Sequence, residues 1–352
     1  MAPTLRTGLA KAHDAVDDQT ALTTTSSALS QPQPQPQLQR APRNLREMIP
    51  GPAQFPLAVA TSFAMASLGY SLLGELTGSE LAAVSRSQDT WGEVSLLAGW
   101  RLIELALGWY GKLDSLDVAM LDMLSHGPHY YLLSNFYTLS PATALSALAI
   151  DVVSVAVPFY LLRPLSTIHT PSAAAAAGLP NRELLDLPLQ LYTTALSTGI
   201  YTVVLVLSLR FILPRILVVY FSGLPTLEPA YAASYASVLP VTLLFGFAAS
   251  TFIFAPFATT ARAKEDDKIN EFDPVAASLG ETVWWNVWGY TVKTKVVIRR
   301  TAVAVFVVAI NTFLASTKTL YGVDAAGAAV YAGVWAFAAM CTGIGLGFVG
   351  GE

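Results

Sequence analysis

The chain has 352 residues, a formal net charge of −4 and only 12% charged residues. A soluble globular domain carries about 25% charged residues, so this composition excludes an ordinary water-facing surface. The lack of a basic excess argues against a nucleic-acid partner. Apolar residues make up 53% of the chain and come in long blocks, which predicts an integral membrane protein surrounded by lipid.

The N-terminal segment differs in composition from the rest of the chain. Residues 1–46 are polar, with a Thr/Ser run at 23–27 and alternating Gln and Pro at 31–37. Alternating proline prevents helix formation and favours an extended, solvated chain. We therefore predict a disordered Gln/Pro/Ser/Thr-rich tail over 1–46 and an integral membrane domain over 47–352.

Six apolar segments are long enough to cross a bilayer, which requires roughly 20 helical residues. They are residues 53–76, 141–162, 187–209, 238–258, 301–317 and 327–349. The predicted fold is an all-α, multi-pass transmembrane bundle with about six spans and interfacial amphipathic helices.

Two stretches, 92–140 and 275–300, are predicted to lie at the membrane interface. In the first, Trp100 and Ile103 recur at helical spacing, and Arg101 and Glu104 fall on another face. This pattern indicates an amphipathic helix lying flat on the membrane, with Arg101 and Glu104 as a surface pair. Tryptophan prefers the headgroup layer, and basic residues attract anionic lipid. The residues assigned to the interface are Trp100, Trp109, Trp284, Trp285, Trp288, Lys293, Lys295, Arg299 and Arg300.

The distribution of basic residues predicts the topology. With six spans and the N-terminus inside, 14 Lys and Arg residues lie on the inner side and six on the outer side. This satisfies the positive-inside rule and places both termini on the cytoplasmic or equivalent side. If residues 94–110 formed a further span, every later loop would move to the opposite side of the membrane, and the basic loop 259–300 would face outside. That segment is therefore assigned to the interface.

Asp151 lies near the centre of the second predicted span. A charged carboxylate at mid-bilayer costs roughly 2.5–3.5 kcal/mol on insertion scales, so Asp151 is expected to face the bundle interior. It would serve there as an ion, proton or substrate site, or as a structural hydrogen bond. Asn311 in the fifth span is the candidate partner, because an amide can bond across a helix interface.

The sixth span carries small residues at helical spacing. Gly343 is followed by Gly347, and Ala329 by Gly333. Small residues let helix backbones approach closely. This span is therefore predicted to pack tightly, either inside the bundle, against a partner protein, or against a second copy of the chain.

Asp122, His126 and His129 are candidate metal ligands. Asp122 and His126 are four residues apart and would share a helical face. Gly127-Pro128 is expected to break the helix before His129, and a zinc site needs three or four converging ligands. The segment is therefore predicted to be a turn between two interfacial helices, with no metal and no cofactor.

Three functional classes remain open. The chain lacks HExxH, a P-loop, GxSxG and a dinucleotide fingerprint. We expect a non-enzymatic scaffold, assembly subunit or membrane-organising protein. The alternative is a transporter or channel for a small solute or ion that uses Asp151. A membrane-embedded enzyme is the third class. Its only candidate active-site residues in the sequence are Asp122, His126 and His129.

Overall fold

The structure, a computed structural model, describes residues 48–170, 178–263, 266–267, 269, 272–273 and 275–350. The predicted disordered tail over 1–46 lies outside the described residues. Helices account for most of the described chain, and no β-strand occurs within it.

The described residues form twelve α-helices, α1 to α12 in chain order. They are α1 (Gly51–Leu76), α2 (Glu80–Val84), α3 (Trp91–Tyr110), α4 (Ser115–Phe136), α5 (Pro141–Leu162), α6 (Leu187–Phe211), α7 (Leu213–Tyr220), α8 (Glu228–Tyr231), α9 (Tyr235–Ala249), α10 (Leu279–Trp288), α11 (Val292–Thr319) and α12 (Ala325–Gly350). A π-helical turn, Ser250–Phe254, and a 3₁₀ turn, Ala255–Thr259, continue α9.

The prediction of six spans is confirmed. Among the described residues, six helices are long and apolar enough to cross a membrane: α1, α5, α6, α9 with its continuation, α11 and α12. The chain is therefore an all-α integral membrane protein. Exposed Leu, Ile, Val and Phe side chains on the outside of these helices suit contact with lipid.

Helix α4 forms the centre of the bundle. Sixteen of its 22 residues are buried, and it packs against α5, α9 and α11. Because it is enclosed on several sides, its apolar residues do not collect on one face, and no periodic stripe marks it in the sequence. The prediction that the whole of 92–140 lies at the membrane interface is therefore wrong for α4.

The predicted break at Gly127-Pro128 is also wrong, because α4 continues through both residues. At Gly127 a Cβ atom would lie 2.5 Å from the ring of Phe245, so the glycine permits close packing with α9. Pro128 removes one backbone N–H, which membrane helices tolerate when neighbouring helices enclose the site. Asp122, His126 and His129 consequently project from one continuous helix.

Helix α3 is amphipathic, but its polar face points inward. Leu96, Ile103 and Tyr110 are 43%, 48% and 72% exposed. The side chains of Arg101 and Glu104 are only 14% and 10% exposed, and Arg101 reaches α4 and α5. This orientation is favourable where lipid surrounds the bundle, because polar groups then avoid hydrocarbon. The predicted surface pair is therefore a buried one.

The long helices alternate in direction. Phe55 near the start of α1 contacts Trp109 near the end of α3, and Gly350 near the end of α12 lies against Phe257. We call this end of the bundle the N/C end. At the opposite end, called the far end, the backbone N–H of Arg86 donates to the carbonyl of Thr319. Helices α1, α4, α6 and α11 begin at the N/C end, and α3, α5, α9 and α12 begin at the far end.

Candidate functional site

Ionisable side chains from α3, α4 and α5 meet inside the bundle. The Arg101 guanidinium donates to Asp122 at 2.7 Å and lies 3.5 Å from Glu104. Its other terminal nitrogen donates to the backbone carbonyl of Asp151 at 3.2 Å and to the Ser154 hydroxyl at 3.1 Å. One arginine thus ties three helices together. We call Arg101, Glu104, Asp122, His126 and Asp151 the central cluster.

Helix α4 contributes Asp122 and His126, which lie one turn apart as their spacing predicts. The His126 Nδ1 atom lies 3.4 Å from Asp122 Oδ1 and 3.0 Å from the hydroxyl of Ser125. Glu104 from α3 approaches both, so that one ligand atom from each of the three residues lies within 4.8 Å of the others. This geometry suits a proton or a metal cation. Glu104 provides the third ligand atom, which the spacing of residues in the sequence did not identify.

Two carboxylate oxygens in the central cluster have no hydrogen-bond partner among the described residues. They are Glu104 Oε1 and Asp122 Oδ2, and both are buried. A buried, unpaired anionic oxygen costs free energy, because neither water nor a donor stabilises its charge. These two atoms therefore mark where a positive charge would be stabilised.

Asp151 is buried, as predicted, but Asn311 is not its partner. The Tyr130 hydroxyl donates to Asp151 Oδ2 at 2.6 Å, and Tyr130 shares a second hydrogen bond of 2.6 Å with the hydroxyl of Tyr70. This chain of hydrogen bonds links α1, α4 and α5. Asn311 instead donates to the carbonyl of Ser125 at 3.0 Å, on another side of α4.

Trp100 also differs from its predicted position. The sequence assigns it to the membrane interface, but it is only 8% exposed, and its indole N–H donates to Asn311 at 3.1 Å. Trp109 lies at the N/C end, where Arg163 packs over its ring at 5.0 Å.

His129 belongs to a different environment from Asp122 and His126. Two turns separate it from Asp122, and its Nε2 atom lies 3.3 Å from the Thr319 hydroxyl at the far end. Its Nδ1 atom is buried without a hydrogen-bond partner in the described chain. The three candidate metal ligands therefore do not converge on one site. Glu104, and not His129, lies beside Asp122 and His126.

The central cluster holds more negative than positive groups. Arg101 pairs with the carboxylates of Glu104 and Asp122 and donates to the backbone carbonyl of Asp151, whose buried carboxylate accepts from Tyr130. With the carboxylates ionised and His126 neutral, three negative charges and one positive charge leave a net charge of −2, and protonation of His126 leaves −1. Uncompensated charge in a low-dielectric interior is unfavourable. The cluster therefore favours uptake of a proton or a small cation.

A second ionic group lies at the N/C end. Asp114 caps α4 by accepting from the backbone N–H of Asp117 at 2.9 Å, and it accepts from the His169 ring at 2.6 Å. Burial alone would raise the pKa of Asp114, but these hydrogen bonds and one from the backbone of Ser166 hold it below its ordinary value. Asp117 pairs with both terminal nitrogens of Arg300, at 2.7 and 3.0 Å. Arg300, which the sequence assigns to the membrane interface, is thus paired with Asp117 within the protein.

The other residues assigned to the interface are more open. Trp284 and Trp288 on α10 are 55% and 45% exposed, and Lys295 lies 5.9 Å from the Trp284 ring centre. Trp285 stacks on Phe272 at 4.8 Å. A membrane-surface position for these residues, and for Lys293 and Arg299, stays a prediction.

The small residues of α12 face two directions. A Cβ atom on Gly343 would lie 2.1 Å from the Thr301 hydroxyl, so α11 and α12 are in close contact there. Gly347 faces Val297 at an ordinary 3.7 Å. Ala329 and Gly333 lie on the exposed face of α12, with open space at Gly333.

In comparisons with known proteins, the chain matches no family model, no curated protein and no solved structure. Its function must therefore be argued from the chemistry of the site.

Proposed function

We propose that this protein is a proton-coupled or proton-conducting membrane transporter, and that the central cluster is its proton-binding site. The observation that carries the proposal is that the central cluster holds three buried carboxylates, those of Glu104, Asp122 and Asp151, and one arginine. Such residues inside a membrane are costly, and they commonly mark ion or proton pathways.

The contacts of the cluster favour a proton over a larger ion. Asp151 is linked through Tyr130 to Tyr70 by two hydrogen bonds of 2.6 Å each. A proton can pass along such side chains by exchange between neighbouring oxygens, whereas a metal ion must move bodily. The unpaired oxygens of Glu104 and Asp122 supply the acceptors at which a proton can reside.

The test is proton flux in proteoliposomes with a pH-sensitive dye inside and a potassium diffusion potential as driving force. Asp151→Asn and Glu104→Gln each remove one ionisable acceptor and keep nearly the same volume. We expect both variants to fold and to lose most of the flux. Asp267→Asn is the matched control, because Asp267 is 56% exposed and pairs with Arg262 outside the bundle interior. Normal flux in both cluster variants would refute the proposal.

A scaffold or assembly-subunit role is the second candidate, and one observation favours it. Ala329 and Gly333 lie on an exposed face of α12, where another transmembrane helix could approach closely. Native mass spectrometry after mild-detergent purification tests this role. A stoichiometric partner lost in Gly333→Leu would support it, and a bare monomer in both forms would count against it.

A further inference from the structure

A cavity of about 200 Å³ lies beside α6 and α9, away from the central cluster. Its walls include His169, Gln190 of α6, and residues of the π-helical turn Ser250–Phe254 that follows α9. At roughly 30 Å³ per water molecule, the space corresponds to about seven waters. A ligand with about seven non-hydrogen atoms would fill it. Single π-helical turns often occur at functional sites.

His169 is held in one orientation. Its Nδ1 atom lies 2.6 Å from Asp114 Oδ2, and an ionised carboxylate only accepts, so the proton resides on Nδ1. In the neutral ring, Nε2 is then a hydrogen-bond acceptor. The Nε2 atom is buried and has no partner in the described chain, and the side chain is only 8% exposed. A buried acceptor without a donor is unfavourable unless a ligand or water supplies one.

Hydroxyl groups line the same cavity. The hydroxyls of Thr194 in α6 and Ser250 in the π-helical turn share a hydrogen bond of 2.9 Å. Thr251, one residue further along, also lines the cavity, and its hydroxyl has no hydrogen-bond partner within the described residues. Phe247 and Phe254 supply apolar wall. Among the described lining residues, His169 is the only ionisable one, and it is paired with Asp114.

We propose that this cavity binds a small, uncharged, hydroxyl-bearing molecule with an apolar body. Its hydroxyl donates to His169 Nε2 and accepts from Thr251, and its apolar part packs against Phe247 and Phe254. Charged solutes are disfavoured, because the cavity offers no opposite charge to replace their hydration. The binding site is independent of the proton function proposed for the central cluster.

The test uses full-length protein in nanodiscs and diethyl pyrocarbonate, which modifies an unprotonated imidazole nitrogen. Mass spectrometry of digests reads each of the four histidines separately. The probe is cyclohexanol, which has seven non-hydrogen atoms. Its methyl ether is the matched control, because it keeps the apolar ring and lacks the donor.

We expect the reagent to modify His169. Cyclohexanol at ten times its dissociation constant should slow this modification about tenfold, since the free fraction falls as 1/(1 + [L]/Kd). The methyl ether should give much weaker protection. Thr251→Val, which keeps the shape of the side chain, should weaken cyclohexanol binding by a few-fold to about tenfold.

Three results would overturn the proposal. They are an unmodified His169 under conditions that modify another histidine, no protection by cyclohexanol, and equal protection by the alcohol and the ether. Each can occur while proton flux through the wild-type protein is intact, so a failure here is distinguishable from a failure of the proposed function.

Discussion

Replacing Arg101 by methionine tests whether the central cluster is a buried ionic network. The guanidinium is 14% exposed and approaches Asp122 at 2.7 Å and Glu104 at 3.5 Å. It also donates to the carbonyl of Asp151 and the hydroxyl of Ser154. Methionine keeps most of the volume but leaves carboxylates in the interior without their cation.

Breaking a buried pair by removing one partner destabilises a protein by about 3–5 kcal/mol, whereas an exposed pair contributes about 0–1 kcal/mol. We therefore expect Arg101→Met to lower the free energy of unfolding by about 3–5 kcal/mol. The double variant Arg101→Met/Asp122→Asn should recover part of this loss, because it removes one of the stranded charges.

The assay is reversible unfolding in mixed micelles by sodium dodecyl sulfate, followed by circular dichroism. Arg262→Gln is the matched control, because Arg262 is 71% exposed and forms a 2.8 Å ion pair with Asp267. It should change the free energy of unfolding by less than about 1 kcal/mol. A loss of the same small size for Arg101→Met would refute the assignment of Arg101 to the interior.

Three further predictions follow from packing, capping and topology. Gly343→Ala should destabilise the protein by about 1–3 kcal/mol through overpacking, whereas Gly333→Ala, which faces open space, should have little effect in the same assay. Asp114→Asn should be less stable than wild type at neutral pH. The folding of the chain lowers the pKa of Asp114, so the difference in free energy of unfolding should be largest above about pH 4, the pKa of an unfolded aspartate. The difference should shrink as the pH falls further, which unfolding curves of both proteins at several pH values would show. In a cysteine-free background, Ser87→Cys and Asp267→Cys should react with an impermeant maleimide from opposite sides of the membrane, and labelling from one side would contradict the alternating helices.

The sequence predicts the six most apolar helices well, because continuous hydrophobicity is a strong local signal. It predicts α4 poorly. That helix is enclosed by protein, so it can carry Asp117, Asp122 and two histidines without a lipid-facing apolar stripe, and hydropathy alone does not mark it. The error over α3 has a related cause. Helical spacing finds its two faces but does not show whether the polar one meets water or the bundle interior.

The wrong assignment of α4 to the interface does not change the predicted side of the later loops. A single added span would reverse every later loop, but α3 and α4 run in opposite directions as a pair and leave the later loops unchanged. Of the 13 Lys and Arg residues in the described chain, eight belong to segments at the N/C end, four belong to far-end segments, and Arg101 is interior. With α3 and α4 taken as a pair, Lys112 lies at the N/C end, where most of the described basic residues lie.

The candidate site could be predicted only in part. Asp151 was identifiable because an aspartate within an apolar span is rare. Its partners were not, since Tyr70 and Tyr130 are distant in sequence and tyrosine is common near membranes. Glu104 could be linked to Asp122 and His126 only once α3 was known to point its polar face inward.

The most direct test of the central claim is to look for the bound proton itself by infrared difference spectroscopy. A protonated carboxyl group absorbs at a frequency separate from that of a carboxylate, and the band shifts in heavy water. We predict a buried carboxyl band in wild-type protein at neutral pH that exchanges with solvent and is lost or strongly altered in Glu104→Gln and Asp122→Asn. A spectrum without this band, or one that both variants leave unchanged, would contradict the account.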